Sequence, residues 1–121
     1  MTRLLPAVLL LAVASLGAAH LRMDKASPAE GATITAAPAQ IRIWFTEEPT
    51  LVVSSVVVTG PSGKVELGKL TLGKTGDQPD HSIVAEVKGS LSPGKHVVSW
   101  KTSGNDGHML SGSYEFTLKI P

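Results

Sequence analysis

The chain has 121 residues, 11 Lys and Arg against 10 Asp and Glu, and no cysteine. That length suits one domain. Balanced charge without a basic stripe argues against a nucleic-acid binder. The missing cysteines exclude a disulfide framework, zinc-thiolate and iron–sulfur sites, and a cysteine nucleophile.

The first segment, 1–19, reads as a cleavable secretory signal peptide. Arg3 sits in a short start, an apolar run extends from Leu4 to Leu16, and the small residues Gly17, Ala18 and Ala19 follow. The run is shorter than the about 20 residues that a bilayer span needs. Cleavage after Ala19 makes His20 the first residue of a mature domain over 20–121, with a periplasmic or extracellular address. No cysteine follows the small residues, so a lipoprotein anchor is not available.

From His20 onward short strand patterns alternate with turn residues. "SPAEGAT" (27–33) is turn-rich, and "QIRIWF" (40–45) puts Ile41, Ile43 and Phe45 on one face. "VSSVVVTG" (53–60) is β-branched and runs into the turn "GPSG" (60–63). "KVELGKLTLG" (64–73) gives one or two short strands about Gly68, "GDQPD" (76–80) a loop, and "HSIVAEV" (81–87) a strand. After the turn "SLSPGK" (90–95), "HVVSWKT" (96–102) places Val98 and Trp100 together. The last strand, "SYEFTLKI" (113–120), aligns Tyr114, Phe116, Leu118 and Ile120. No helical period appears beyond the leader. About seven antiparallel strands predict an all-β fold, a Greek-key β-sandwich or barrel of Ig-like or cupredoxin-like topology, with Trp100 and Phe116 as core anchors.

Three residues offer metal chemistry. Cleavage turns the backbone nitrogen of His20 into a free amine, which can chelate one ion together with the imidazole Nδ1. An α-amine has a pKa near about 7.7–8.0, so binding releases a proton. In "SGNDGHMLSG" (103–112), Asp106 and His108 lie two apart, which in extended backbone projects both to one side. Together the three residues supply three nitrogens and a carboxylate oxygen. Cu(II) prefers such a tetragonal N,O set; zinc and nickel remain chemical rivals. Taken alone, "DGH" also fits an ordinary polar turn.

"HLRMDKASPAEGATITAAPAQIRIWFTEEP" (20–49) and "LSPGKHVVSWKTSGNDGHMLSGSYEFTL" (91–118) resemble the CopC family of periplasmic copper-binding proteins. Residues 50–90 match it only in strand pattern. The resemblance implies a Greek-key β fold, a Cu(II) site on His20, Asp106 and His108 with the His20 amine as a further donor, and delivery to an inner-membrane CopD-like protein. Some relatives add a methionine-rich Cu(I) site, and soft thioethers suit that ion. Here the mature chain has only Met23 and Met109, so a Cu(II)-only member is expected, with one copper per monomer.

The expected function is that of a non-catalytic carrier or buffer in copper resistance or uptake. Two alternatives are open at this stage. One is a small copper enzyme akin to the lytic polysaccharide monooxygenases, although Asp106 would then fill a position that oxygen chemistry needs open. The other is an Ig-like interaction module without metal. His81 and His96 read as surface histidines and Met109 as packing. Asp24 and Glu30 are candidate partners of His20, and the carboxylates of "TEEPT" (46–50) read as solvated.

Overall fold

The computed structural model describes residues 20–120; the expected signal peptide lies outside them. Strands form where apolar residues recur at every second position. They are β1 (Met23–Ser27), β2 (Thr33–Ile34), β3 (Gln40–Phe45), β4 (Ser55–Gly60), β5 (Gly63–Val65), β6 (Thr71–Thr75), β7 (Gln78–Glu86), β8 (Gly94–Ser103) and β9 (Met109–Leu118). A 3-10 turn, Leu51–Val53, connects β3 to β4. One sheet has the order β1-β3-β7-β6 and the other β2-β9-β8-β4-β5. The chain crosses between the sheets repeatedly, which gives a β-sandwich whose core is the two inner faces. No helix among the described residues is long and apolar enough to cross a membrane.

The core follows the alternation. Ile41, Ile43 and Phe45 of β3 face Val98 and Trp100 of β8 and Tyr114, Phe116 and Leu118 of β9 across the sandwich, all buried. Phe45 and Trp100 meet edge to face at 5.1 Å, a geometry that aromatic quadrupoles favour. Gly112, paired with Trp100, gives the indole room: a Cβ there would lie 2.5 Å from the ring.

Several expectations are corrected. The described residues form nine strands rather than about seven, because β1 and the two-residue β2 flank the "SPAEGA" turn. β2 pairs with β9 in parallel, Thr33 opposite Thr117, so the sheets are not wholly antiparallel. The stretch 64–73 splits between sheets, with β5 beside β4 and β6 beside β7. Most of "GDQPD" is strand, since Thr75 pairs with Gln78 and only Gly76 and Asp77 turn; Gly76 has φ +61°, as a tight hairpin turn needs. Ile120 lies past the end of the β8–β9 ladder and is exposed.

His96 is the largest departure, being fully buried. It shares the inward face of β8 with Val98 and Trp100 and stacks on Phe116 at 5.0 Å. Its Nδ1 donates to the Gly94 carbonyl oxygen at 3.0 Å. Gly60 makes this possible, because a Cβ there would sit 2.6 Å from the imidazole. His81 is exposed as expected, but within β7 and with φ +64°. It stands at a bulge, so that both Ser82 and Ile83 are buried.

The outward face of the four-stranded sheet is organised by Asp80. Its carboxylate pairs with Arg42 and accepts from Thr75 Oγ1 (2.9 Å), Ser82 Oγ (2.5 Å) and Trp44 Nε1 (3.3 Å). Burial pushes this carboxyl up; the hydroxyls of Ser82 and Thr75, the Arg42 charge and the Trp44 indole outweigh it and hold it well below the usual range. A depressed carboxyl stabilises the fold above its unfolded value, near about 3.9, and that contribution is lost as pH falls through the folded value. Asp80→Asn is therefore expected to cost about 2 kcal/mol at pH 7. Urea denaturation at falling pH should show the gap between wild type and variant constant above about pH 4 and narrowing below it; a gap that stays constant down to about pH 2 would contradict this role.

Candidate metal centre

The site lies at one end of the sandwich, where β8 turns into β9 and β1 begins. Ser103 and Met109 form the last pair of the ladder, leaving Gly104–His108 as the connection. Asp106 and His108 are not in extended backbone, as the spacing argument assumed. They form a turn. Gly107 between them has φ +76°, a conformation costly for other residues. The Asp106 carboxylate accepts from the His108 backbone N–H through Oδ1 at 3.0 Å and faces the His108 Nδ1 through Oδ2 at 3.1 Å. This Asx-type closure fixes the two side chains together.

His20 arrives from the other chain segment. Leu21 is buried, and Arg22 is clamped to Thr46: its N–H donates to Thr46 Oγ1 (3.0 Å) and its carbonyl accepts from the Thr46 N–H (2.9 Å). These anchors aim His20 at the turn. Its Nδ1 lies 3.8 Å from Asp106 Oδ2, and its ring meets that of His108 at 6.1 Å. One ligand atom from each of His20, Asp106 and His108 lies within 4.8 Å of the others. An ion bonded at about 2.0–2.2 Å spans about 4.0–4.4 Å between opposite ligands, so the cluster needs little closure to hold one.

The electrostatics suit a divalent cation. The backbone N–H of His108, then its imidazole, hold Asp106 below its ordinary range, with the His20 ring adding to the effect. Asp106 therefore stays ionised. A proton on His108 Nδ1, bonded to Asp106, leaves Nε2 free as a ligand atom. All three side chains are exposed, so an ion held there keeps an open side. Asp24, Glu30, His81 and His96 lie outside the cluster.

The segment 46–50 matters more than the sequence indicated. Thr50 N–H donates to the Ser103 carbonyl at 2.9 Å, and Thr50 Oγ1 reaches the Gly104 carbonyl at 3.5 Å. The Glu47 side chain packs against Gly104, where any Cβ would overlap its carboxylate. Glu47 and Glu48 are half-buried rather than solvated. No local sequence signal joins "TEEPT" to "SGNDGH"; only the fold does. Gly104→Ala is expected to displace Glu47, cost about 1–3 kcal/mol and weaken divalent-metal binding. Gly63→Ala, at φ +105° with open space around it, should cost about 1 kcal/mol and leave binding unchanged. Metal titrations of both proteins decide this; equal effects would mean that the Glu47–Gly104 contact does not shape the site.

Comparison with known proteins identifies the family. A family model described as the CopC domain matches residues 23–119. Protein YobA of Escherichia coli K12 is 34% identical over 101 residues, covering 84% of this chain and 80% of that protein. Copper resistance protein C of Xanthomonas campestris pv. juglandis is 30% identical over 104 residues, covering 84% and 81%. Among solved structures, PcoC, a methionine-rich copper resistance protein from Escherichia coli, superposes with a TM-score of 0.70 at 28% identity, covering 84% of this chain and all of that one. With the family model matching residues 23–119 and relatives at 30% identity or more covered to four fifths of their length, the chain belongs to the CopC family.

Proposed function

We propose that the protein is a non-catalytic carrier or buffer for Cu(II), which it holds one per monomer on His20, Asp106 and His108. The observation that carries this is the meeting of three donors from two distant chain segments within 4.8 Å of one another. Relatives named for copper resistance support copper as the cargo. The donor set is nitrogen-rich with one carboxylate, which Cu(II) tops in affinity order. In this reading signal cleavage after Ala19 frees the His20 amine, and that amine completes the chelate in the periplasm. Cu(I) is not expected as cargo, because the mature chain offers only Met23 and Met109 as thioethers. An inner-membrane CopD-like protein is the proposed recipient.

The deciding experiment is a Cu(II) titration of the protein beginning at His20, read by electron paramagnetic resonance. A single tetragonal, nitrogen-rich signal saturating at one equivalent is expected. His20→Ala, or one extra residue ahead of His20, should weaken binding by at least about 100-fold, since outer-shell changes alone cost about 10–100-fold. Affinity should fall as pH drops, because protons compete for the amine and the imidazoles. Undiminished binding in the extended protein would remove the amine from the ligand set. A heterogeneous, weak signal in the wild type would remove the copper site.

A further inference from the structure

Five large apolar side chains are exposed among the described residues, and three of them, Val52, Val53 and Met109, belong to two segments that both adjoin Ser103 at the metal end. Val52 is 89% exposed, Val53 42% and Met109 47%. Met109 follows His108 directly. It pairs with Ser103, whose carbonyl receives the Thr50 N–H two residues before Val52. The apolar turn and the metal turn are thus tied to the same stretch of backbone.

The Leu51–Val53 turn is firmly built. Val53 N–H donates to the Thr50 carbonyl at 3.2 Å and Ser54 N–H to the Leu51 carbonyl at 3.0 Å. Ser54 Oγ bonds the Thr50 carbonyl (2.7 Å) and Thr102 Oγ1 (2.6 Å). Yet no residue of the turn is buried. Holding valines out in water adds nothing to the core. Residues 49–63 carry no ionisable side chain, so whatever meets this rim is recognised by apolar contact rather than by charge.

We propose that Val52, Val53 and Met109 form the docking rim for the protein that exchanges copper with His20, Asp106 and His108. This rests on the carrier reading above. The partner presents a small apolar pocket beside its own metal ligands. The rim borders the cargo, so its burial excludes water from the exchanging ion, as apolar contacts do around interface hot spots. Three side chains fall far short of the about 1,200 Å² that a lasting homodimer buries, which favours a transient partner over a second copy. Lys69 flanks the turn beside Val52 and residues 49–63 add no cation, whereas an anionic bilayer surface calls for a cluster of about 4–8 cations.

The test compares Val52→Asp/Val53→Asp, the milder Val52→Ser/Val53→Ser, and Ile120→Asp. Ile120 is similarly exposed at 51% but follows the far end of β9. Each variant is measured for melting temperature and Cu(II) affinity, then returned to native cells lacking the gene and scored for copper tolerance and cell copper content. Both double variants should keep Cu(II) affinity within about twofold and yet behave like the deletion strain, the Ser form less severely. Ile120→Asp should behave like the wild type. Full function in the Asp double variant, or equal loss in Ile120→Asp, would overturn the proposal. So would wild-type binding to phosphatidylglycerol vesicles, or a copper-loaded dimer, that the double variants abolish; these would assign the rim to a membrane or to a second copy. Failure of the carrier reading is separately visible, as absent tight Cu(II) binding in the wild type or a deletion strain without a copper phenotype.

Discussion

Ten antiparallel pairs between β8 and β9, from Gly94 opposite Leu118 to Ser103 opposite Met109, are the constraint on which the rest of the structure depends. The ladder supplies much of the core through Val98, Trp100, Tyr114, Phe116 and Leu118. A slip of β9 by one residue would turn Tyr114, Phe116 and Leu118 to solvent. The same register decides where the connection falls, and Asp106 and His108 are that connection. Core packing and site geometry are therefore one specification. The apolar face needs this register, and the register then leaves five residues, with Gly107 among them, to close the end.

The crossings between sheets do the remaining work. β1 and β3 pair antiparallel, so the start of β1 and the end of β3 meet at the same rim, Met23 opposite Phe45. Thr46 clamps Arg22 there, and Thr50 reaches Ser103 in the other sheet. Three segments that are remote in sequence are thus tied around the Gly104–His108 turn by hydrogen bonds rather than by charge. Within the turn, the Asp106 carboxylate is held ionised by the turn itself and faces two imidazoles.

Much of this was legible in the sequence because it rests on short-range pattern. Alternation in "QIRIWF" and "SYEFTLKI" identified inward faces, and donor chemistry singled out His20, Asp106 and His108, which the fold brings together. Alternation also carried the burial of His96, two residues before Val98, but the polarity of the ring concealed it; a histidine goes inside when an aromatic face and a backbone carbonyl receive it, and both partners come from the folded chain. β2 was invisible because two residues have no period. Glu47 and Thr50 were missed for another reason. Their partners are Gly104 and Ser103, contacts set by the crossing from one sheet to the other, which no local spacing encodes.

Leu21 carries a consequence beyond packing. It is 3% exposed, immediately after His20, so in the proposed mature form, which begins at His20, the free end is leashed by a single residue. A ligand on so short a tether sees its partners at an effective concentration far above that of a loose tail, and little chain freedom remains to be lost when an ion arrives. The same leash guards the terminus. An exopeptidase that trims the chain from its first residue must draw His20 into an active site, and Leu21 can follow only by leaving the core. In the proposed mature form the burial of one leucine thus protects the first residue, and with it the amine that the proposed site uses.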